Sequence, residues 1–275
     1  MMNRKITVTL GLLAFLGFAA GCGQNLFEGM EDKESTEATQ YATLKSLDSG
    51  DFAAVLAACD QGTVNPIDCS AAALGAAGLD PIDVANKLND LINSTASGDI
   101  SSIASLSIDS SYLDEIHEAN VLLAAECEAT GDDNACSQLV VTSIAEVVVA
   151  IAQVGDNAGI DVTDGIDEAE AEDIADIVAG TSSFNDMVDT DGDGTPETSV
   201  VDLIEEDALY IVNNINDTPF GDADGDGTAD TELGEVIEEQ VQTIGGADCA
   251  AGSTTCVVTS GELETYLDNE YGSSL

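Results

Sequence analysis

Residues 139–154 read LVVTSIAEVVVAIAQV, a nearly continuous apolar stretch that is rich in valine. By periodicity alone this run could form a buried helix, a pair of strands or a membrane span. Thr142, Ser143, Glu146 and Gln153 interrupt it, whereas a spanning helix needs about 20 cleaner apolar residues. We therefore predict that the run is the central buried helix of a mainly α-helical protein.

Helices are also predicted on both sides of this run. Asn65 before Pro66, and Asp80 before Pro81, are typical helix starts with proline at the first helical position. Gly155 is expected to end the central helix, and His117 is expected at the protein surface. In residues 110–128 the apolar positions follow helical spacing and should face inward; they are Tyr112, Leu113, Ile116, Ala119, Leu123 and Cys127.

The composition shifts toward Asp, Gly and Thr after Gly155, which suggests a boundary between residues 41–155 and residues 156–275. Three helices are predicted in the second region, over residues 167–179, 201–215 and 231–244. Whether the first region is an array of helical hairpins or a plain bundle is left open by the pattern. Ser49-Gly50-Asp51 and Ser97-Gly98-Asp99 each open a helix, and this turn resembles the inter-helix turn of tetratricopeptide-type hairpins.

Six cysteines follow Cys22 and fall into three close pairs along the chain. Six cysteines allow 15 connectivities. Disulfides are expected in an exported protein with an even number of cysteines. Pairing of neighbours fits the helix pattern best, because each of the first two pairs lies on either side of a predicted turn between helices. The predicted disulfides are Cys59 with Cys69, Cys127 with Cys136, and Cys249 with Cys256.

Two acidic loops carry the clearest chemistry in the sequence. The first is Asp189-Thr-Asp-Gly-Asp-Gly-Thr-Pro-Glu197, and the second, 33 residues later, is Asp222-Ala-Asp-Gly-Asp-Gly-Thr-Ala-Asp230. Oxygens at alternate positions of a tight glycine turn converge on one point, as the hard ion Ca²⁺ requires. The predicted ligands are Asp189, Asp191, Asp193, Thr195 (through its carbonyl), Glu197, Asp222, Asp224, Asp226, Thr228 and Asp230.

These loops resemble EF-hand-like sites and, more closely, the DxDxDG repeats of thrombospondin type 3 and related bacterial calcium proteins. The resemblance implies one Ca²⁺ per loop. The twelfth position, where an EF-hand has a bidentate glutamate, holds Val200 in the first loop and Leu233 in the second. Asp202, Glu232, Glu235 or water would have to supply the missing oxygens, which is typical of weak extracellular sites.

The N-terminus has the pattern of an export signal. Arg4 and Lys5 precede an apolar run that ends in Ala19-Ala20-Gly21-Cys22. This ending resembles the lipobox of bacterial lipoproteins, which implies cleavage of residues 1–21 and lipidation (diacylation, palmitate included) of Cys22. Many lipoproteins that stay in the inner membrane have an aspartate directly after the lipidated cysteine, whereas this chain has Gly23. The resemblance therefore favours an outer-membrane lipoprotein, and it leaves open whether the protein is on the periplasmic or the surface face. Residues 22–40 are polar and acidic and are expected to form a tether.

The charge balance excludes several kinds of partner. The chain has 54 acidic residues and a formal net charge of −49. After cleavage it would keep Lys33, Lys45 and Lys87 and no arginine, so nucleic acid and nucleotide binding are not expected. The sequence contains no recognisable catalytic motif. The remaining route to catalysis would be a pair of acidic residues that the fold happens to bring together. The sequence thus predicts a non-catalytic, calcium-binding structural or interaction module with an unidentified protein partner; alternatives are a calcium-dependent switch or adhesion module, or a paired-carboxylate hydrolase.

Overall fold

The computed structural model describes residues 36–79, 109–162, 166, 168–180, 186–215, 237, 241–245, 249 and 255–272. The predicted export signal, Cys22, most of the tether, the Asp80 helix start, the second Ser-Gly-Asp turn and the second acidic loop lie outside these residues. The described part is mainly helical, as predicted. Its strands are two residues long each and form one antiparallel pair.

The elements follow one another along the chain in a simple order. Before the acidic loop come α1 (Thr36–Ser49), α2 (Phe52–Cys59), α3 (Pro66–Ala76), a 3-10 turn (Ser110–Tyr112), α4 (Leu113–Thr130), α5 (Asp133–Ala158) and α6 (Glu168–Val178). The loop itself lies between β1 (Met187–Val188) and β2 (Thr198–Ser199), and it is followed by α7 (Val200–Asn214) and α8 (Ser260–Gly272).

Helix α5 is the central buried helix that the apolar run predicts. Its valines and alanines pack inside the main hydrophobic core, against α3, α4, α6 and α7. In the described part of the chain it is the one helix long and apolar enough to cross a membrane, and 89% of its most apolar 18-residue window is buried inside the protein. The burial explains the apolar composition, because every face of this helix meets another part of the chain.

The end of α5 differs from the prediction. The helix continues through Gly155 to Ala158, and Gly159, with φ of +82°, takes the left-handed position that terminates it. Gly155 has another role: a Cβ at this residue would lie 3.0 Å from Ile174 Cδ1 and 3.1 Å from Val162 Cγ1. The missing side chain therefore allows α6 to pack closely on α5, and the predicted helix stop at Gly155 was wrong. The hydrophobic core draws residues from both sides of position 155.

The other predicted helix signals are confirmed where the structure describes them. The Asn65 side chain accepts a hydrogen bond from the Asp68 amide, with Pro66 at the first helical position, a cap that is worth about 1 kcal/mol. In α4 the predicted inward residues from Leu113 to Cys127 are buried, and Tyr112 is partly buried. Ile174 of α6 and Leu203 and Ile204 of α7 are likewise buried.

The three disulfides join the predicted neighbours. Cys59 at the end of α2 pairs with Cys69 in α3, and the two Cα atoms are 5.8 Å apart. Cys127 in α4 pairs with Cys136 in α5, across 5.0 Å. Each of these bonds closes a short helix–turn–helix unit. The third bond, Cys249 to Cys256, joins Cα atoms 4.4 Å apart near the C-terminal end of the chain.

Candidate metal centre

The first acidic loop brings four carboxylates together. Asp189, Asp191, Asp193 and Glu197 each offer an oxygen, and these four oxygens lie within 4.8 Å of one another. Asp189 is half-buried and the other three are exposed. In the described residues this group can therefore hold a metal ion, as the spacing of the sequence predicts.

Hydrogen bonds within the loop set its curvature. Asp189 Oδ1 accepts from the Gly192 amide at 2.8 Å, and Asp189 Oδ2 accepts from the Gly194 amide at 2.7 Å. Asp191 Oδ1 accepts from the Asp193 amide, and Asp193 Oδ1 accepts from the Thr195 amide. These bonds wrap the backbone around the Asp189 carboxylate, because successive amides point to the inside of the turn.

The two strands and α5 fix the ends of the loop. The Glu197 amide donates to the Val188 carbonyl at 3.0 Å and so closes the hairpin. The Asp189 amide donates to Gln153 Oε1 at 2.7 Å, and Gln153 Nε2 donates to the Ser110 carbonyl at 3.1 Å. The side chain of Gln153 thereby holds the first predicted ligand against the central helix.

Two features of the loop were not predicted. It is entered from a strand, whereas an EF-hand loop is entered from a helix, and α7 begins only at Val200. Val200 itself, at the twelfth position, is completely buried and offers the site no side-chain oxygen. The second feature is Asp114 of α4, whose carboxylate lies directly against Gly192, in the space that a Cβ would need.

The remaining predicted ligands have different outcomes. Thr195 lies in the loop, and its amide donates to Asp193 at 2.8 Å. The structure describes none of Asp222, Asp224, Asp226, Thr228 and Asp230, so the second site stays a prediction. Cys22 also lies outside the described residues, and its lipidation stays a prediction.

A second group of polar side chains, which sequence reasoning missed, lies inside the protein. We call His117, Asn120, Glu146 and Asp207 the buried polar cluster. Glu146 and Asp207 are each 1% exposed, and Asn120 is completely buried. His117 Nδ1 lies 2.7 Å from Glu146 Oε1, and the His117 side chain is 23% exposed. The predicted surface position of His117 holds only in part: its side chain is partly buried, because this face of α4 packs on α5.

Asn120 connects the two acids of this cluster. Its Nδ2 donates to Glu146 Oε2 and, over 3.3 Å, to Asp207 Oδ1. One signal in the sequence could have indicated the group: Asp207 lies on the same helical stripe as Leu203, Ile204 and Ile211, which was expected to face inward.

The structure thus defines a mainly helical, disulfide-stapled protein with an acidic surface loop that can hold a metal ion. No family model, curated protein or solved structure matches the chain.

Proposed function

We propose that this chain is a calcium-binding, lipid-anchored protein of the cell envelope that acts as a non-catalytic structural or protein-interaction module. The observation that carries the proposal is the convergence of the four carboxylates of the first loop. Calcium is the ion that fits this donor set best, because the group contains only carboxylate oxygens and is open to solvent. Zinc, copper and iron sites normally include histidine or cysteine ligands, and this group has neither.

The same geometry favours weak binding. Val200 replaces the bidentate glutamate of an EF-hand, so water or a more distant carboxylate has to complete the coordination shell of six to eight oxygens. Sites with fewer protein ligands bind calcium with dissociation constants of about 10⁻⁴ to 10⁻³ M, in the range of extracellular modules. Such an affinity suits a protein outside the cytoplasm, which agrees with the predicted export signal and with the disulfides.

A structural role follows from the position of the loop. The loop is attached to α5 through Gln153 and continues through β2 directly into α7, so an ion that ties its carboxylates together would hold the start of α7 beside the central helix. The need for such an ion comes from charge, because 54 acidic residues oppose compaction and only a few lysines offset them.

Calorimetric titration of the mature chain with CaCl₂ tests the metal part of the proposal. We expect two sites, one of which is lost in Asp191→Asn and the other in Asp224→Asn. Asp173→Asn is the matched control, because it removes one charge from an exposed position of α6 and belongs to neither loop in the sequence. Titration with MgCl₂ should give weaker binding, since Mg²⁺ demands a stricter octahedral shell. No calcium binding by the wild type would overturn the proposal.

The anchor has a separate test. In a bacterial host, Cys22→Ser should abolish labelling by a palmitate analogue and move the chain from the membrane fraction to the soluble fraction. Sucrose-gradient separation of the two membranes should place the labelled wild-type chain in the outer membrane. Equal labelling of the variant would contradict lipidation at Cys22.

The alternative function, a calcium-dependent switch or adhesion module, has one observation in its favour. Val121 and Leu122 of α4 are 45% and 38% exposed, and the start of the same helix contacts the acidic loop through Asp114. This alternative would be supported if the protein captured a partner only in the presence of calcium and if Val121→Ser weakened that capture.

A paired-carboxylate hydrolase receives less support. Glu146 and Asp207, the two acids that lie together in the core, are each 1% exposed, so a substrate would not reach them.

A further inference from the structure

The buried polar cluster joins three helices at one point of the core. His117 and Asn120 lie on α4, Glu146 lies in the middle of α5, and Asp207 lies on α7. Both acids contact Asn120, and neither is more than 1% exposed. Any change in the charge of this group therefore acts directly on the packing of α7 against α4 and α5.

The charges of the cluster do not balance if both acids are ionised. His117 is the cationic partner, at 2.7 Å from Glu146. In the described part of the chain the one lysine is Lys45, which lies on α1. A second buried carboxylate would therefore have no compensating charge, which is a strongly unfavourable state in a protein core.

The hydrogen bonds show the same shortage of donors. Among the described residues, Asp207 Oδ2 and Asn120 Oδ1 are buried acceptors without a hydrogen-bond partner, and the Ser143 hydroxyl next to Asp207 is also buried and unpaired. That single hydroxyl can donate to one of the two acceptors but not to both. Buried acceptors are almost always paired, so a donor is missing at this point. A proton on one of the two carboxyl groups supplies that donor and also removes the excess charge.

We propose that Glu146 and Asp207 together hold one proton at neutral pH, and that this proton is a latch that keeps α7 packed against α4 and α5. Loss of the proton at alkaline pH leaves two adjacent buried anions, which repel each other and loosen α7. The latch requires no metal ion, and it is therefore independent of the function proposed for the acidic loop.

The electrostatic surroundings support this assignment. Burial and then the neighbouring Glu146 carboxylate raise the pKa of Asp207 well above its usual range, while the Ser143 hydroxyl opposes the shift. The hydrogen bond to Glu146 raises the pKa of His117, with burial acting against it. One proton held by the acid pair, together with a protonated His117, brings the charges of the cluster to a sum of zero.

Other titratable groups around the cluster act in the same direction. Glu206 of α7 and Glu197 at the end of the acidic loop contribute negative potential, as does the Glu146 carboxylate. Tyr210 of α7 stays neutral, because burial and Glu206 raise its pKa. The described segment 241–245 contributes the apolar Val241 and Ile244, which line a small cavity together with residues of α5 and α7. None of these groups supplies a positive charge to replace the proton.

The sign of the pH dependence follows from the raised pKa of Asp207. The folded protein keeps a proton that the unfolded chain releases near the ordinary aspartate pKa, so stability falls as the pH rises from there to the folded pKa. The raised pKa of His117 acts in the same sense above its ordinary value. The stabilisation from Asp207 is thus fully present only below its ordinary pKa of 3.8, and it declines continuously as the pH rises toward the raised pKa of the folded protein.

Thermal unfolding of the full chain between about pH 5 and about pH 9, in a calcium-free buffer, tests the latch. We expect the wild-type melting temperature to fall with pH, and Asp207→Asn, which imitates the protonated group, to reduce this fall by about 5 °C. Asp173→Asn removes an exposed acid and should leave the slope of the wild type unchanged. Parallel curves for Asp207→Asn and the wild type would overturn the proposal.

Infrared spectroscopy keeps the test decisive if Asp207→Asn does not fold. The measurement uses the Glu115→Gln chain, because Glu115 also has a raised pKa and its proton would add to the signal. In this chain the infrared band of a protonated carboxyl group should be present at pH 7 and should disappear at alkaline pH. The absence of this band at pH 7 would show that both acids are ionised, and the latch would be rejected.

Discussion

At the scale of single residues, Gly192 is the most constrained position of the acidic loop. Its φ of +71° is in the left-handed region, and the Asp114 carboxylate occupies the place of a side chain. Gly194, two residues later, has φ of +82° but open space around it. The two glycines therefore share the backbone requirement and differ in their contact with α4.

This difference leads to a prediction for alanine substitutions in the loop. Gly192→Ala and Gly194→Ala should each lose about 1 kcal/mol from the left-handed backbone. Gly192→Ala should cost clearly more, because its Cβ also displaces Asp114 and with it the start of α4. Urea unfolding of both variants, with calcium titration alongside, measures the difference. The double variant Gly192→Ala/Asp114→Ala should recover the excess, and no recovery would show that the contact with Asp114 is unimportant.

Glu115 gives a prediction about pH. Burial, followed by the neighbouring Asp114, raises the pKa of Glu115 to about 8. The unfolded chain releases this proton near pH 4.5, so the ionised group destabilises the fold increasingly as the pH rises toward 8. Glu115→Gln should therefore raise the melting temperature at pH 9 and have little effect at pH 5. Glu118→Gln, an exposed acid on the same helix, should show no such pH-dependent gain.

The sequence predicts single residues well where a local pattern determines them. The alternating aspartates of the first loop converge because the ligands and the turn are within nine residues of each other. The buried polar cluster has no local pattern, since its members come from three helices and the bonded pair Asn120 and Asp207 is 87 residues apart in sequence. Only the position of Asp207 on an inward stripe hinted at it.

At the scale of helices, the polar residues of α5 explain how this helix selects its neighbours. Thr142 Oγ1 lies 2.8 Å from Ser70 Oγ of α3, and Glu146 bonds to His117 of α4. Gln153 bonds to the hairpin and to the Ser110 carbonyl. Valines alone would pack in several registers, whereas each of these bonds is satisfied in one register only. The sequence identifies these residues as interruptions of an apolar run, but their partners depend on the tertiary fold.

The disulfide between α4 and α5 gives a prediction at this scale. Replacement of Cys127 and Cys136 together by serine should reduce the free energy of unfolding by about 2 to 3 kcal/mol, because the bond closes a loop of nine residues in the unfolded chain. The measurement is urea unfolding of the oxidised wild type and the double variant. The Cys59–Cys69 bond closes a loop of similar size, so the Cys59→Ser/Cys69→Ser variant should lose a similar amount of stability. An unchanged midpoint would mean that the turn is already rigid without the bond.

At the scale of the whole molecule, negative charge dominates. Five basic residues offset only a few of the 54 acidic ones, and the formal net charge is −49. Folding brings these carboxylates closer together, and their mutual repulsion opposes the folded state. The apolar core, which extends from α3 to α8, has to overcome this repulsion. The charge and the helical class can be predicted from the sequence. The main hydrophobic core, which draws on residues before and after position 155, could not be predicted, because it depends on close contacts such as Gly155 with Ile174.

Calcium should therefore stabilise this chain by more than simple screening does. At a concentration about 100 times the dissociation constant, each site should add about 2.7 kcal/mol, which raises the melting temperature by about 5 to 10 °C. NaCl at matched ionic strength screens all carboxylates alike and should give a smaller rise. The variant Asp191→Asn/Asp224→Asn separates the two effects, because it keeps nearly all of the charge but lacks a central ligand in each loop. It should respond to CaCl₂ no more than to NaCl at equal ionic strength, and a full calcium response in this variant would mean that the ion acts on the acidic surface in general and not at the loops.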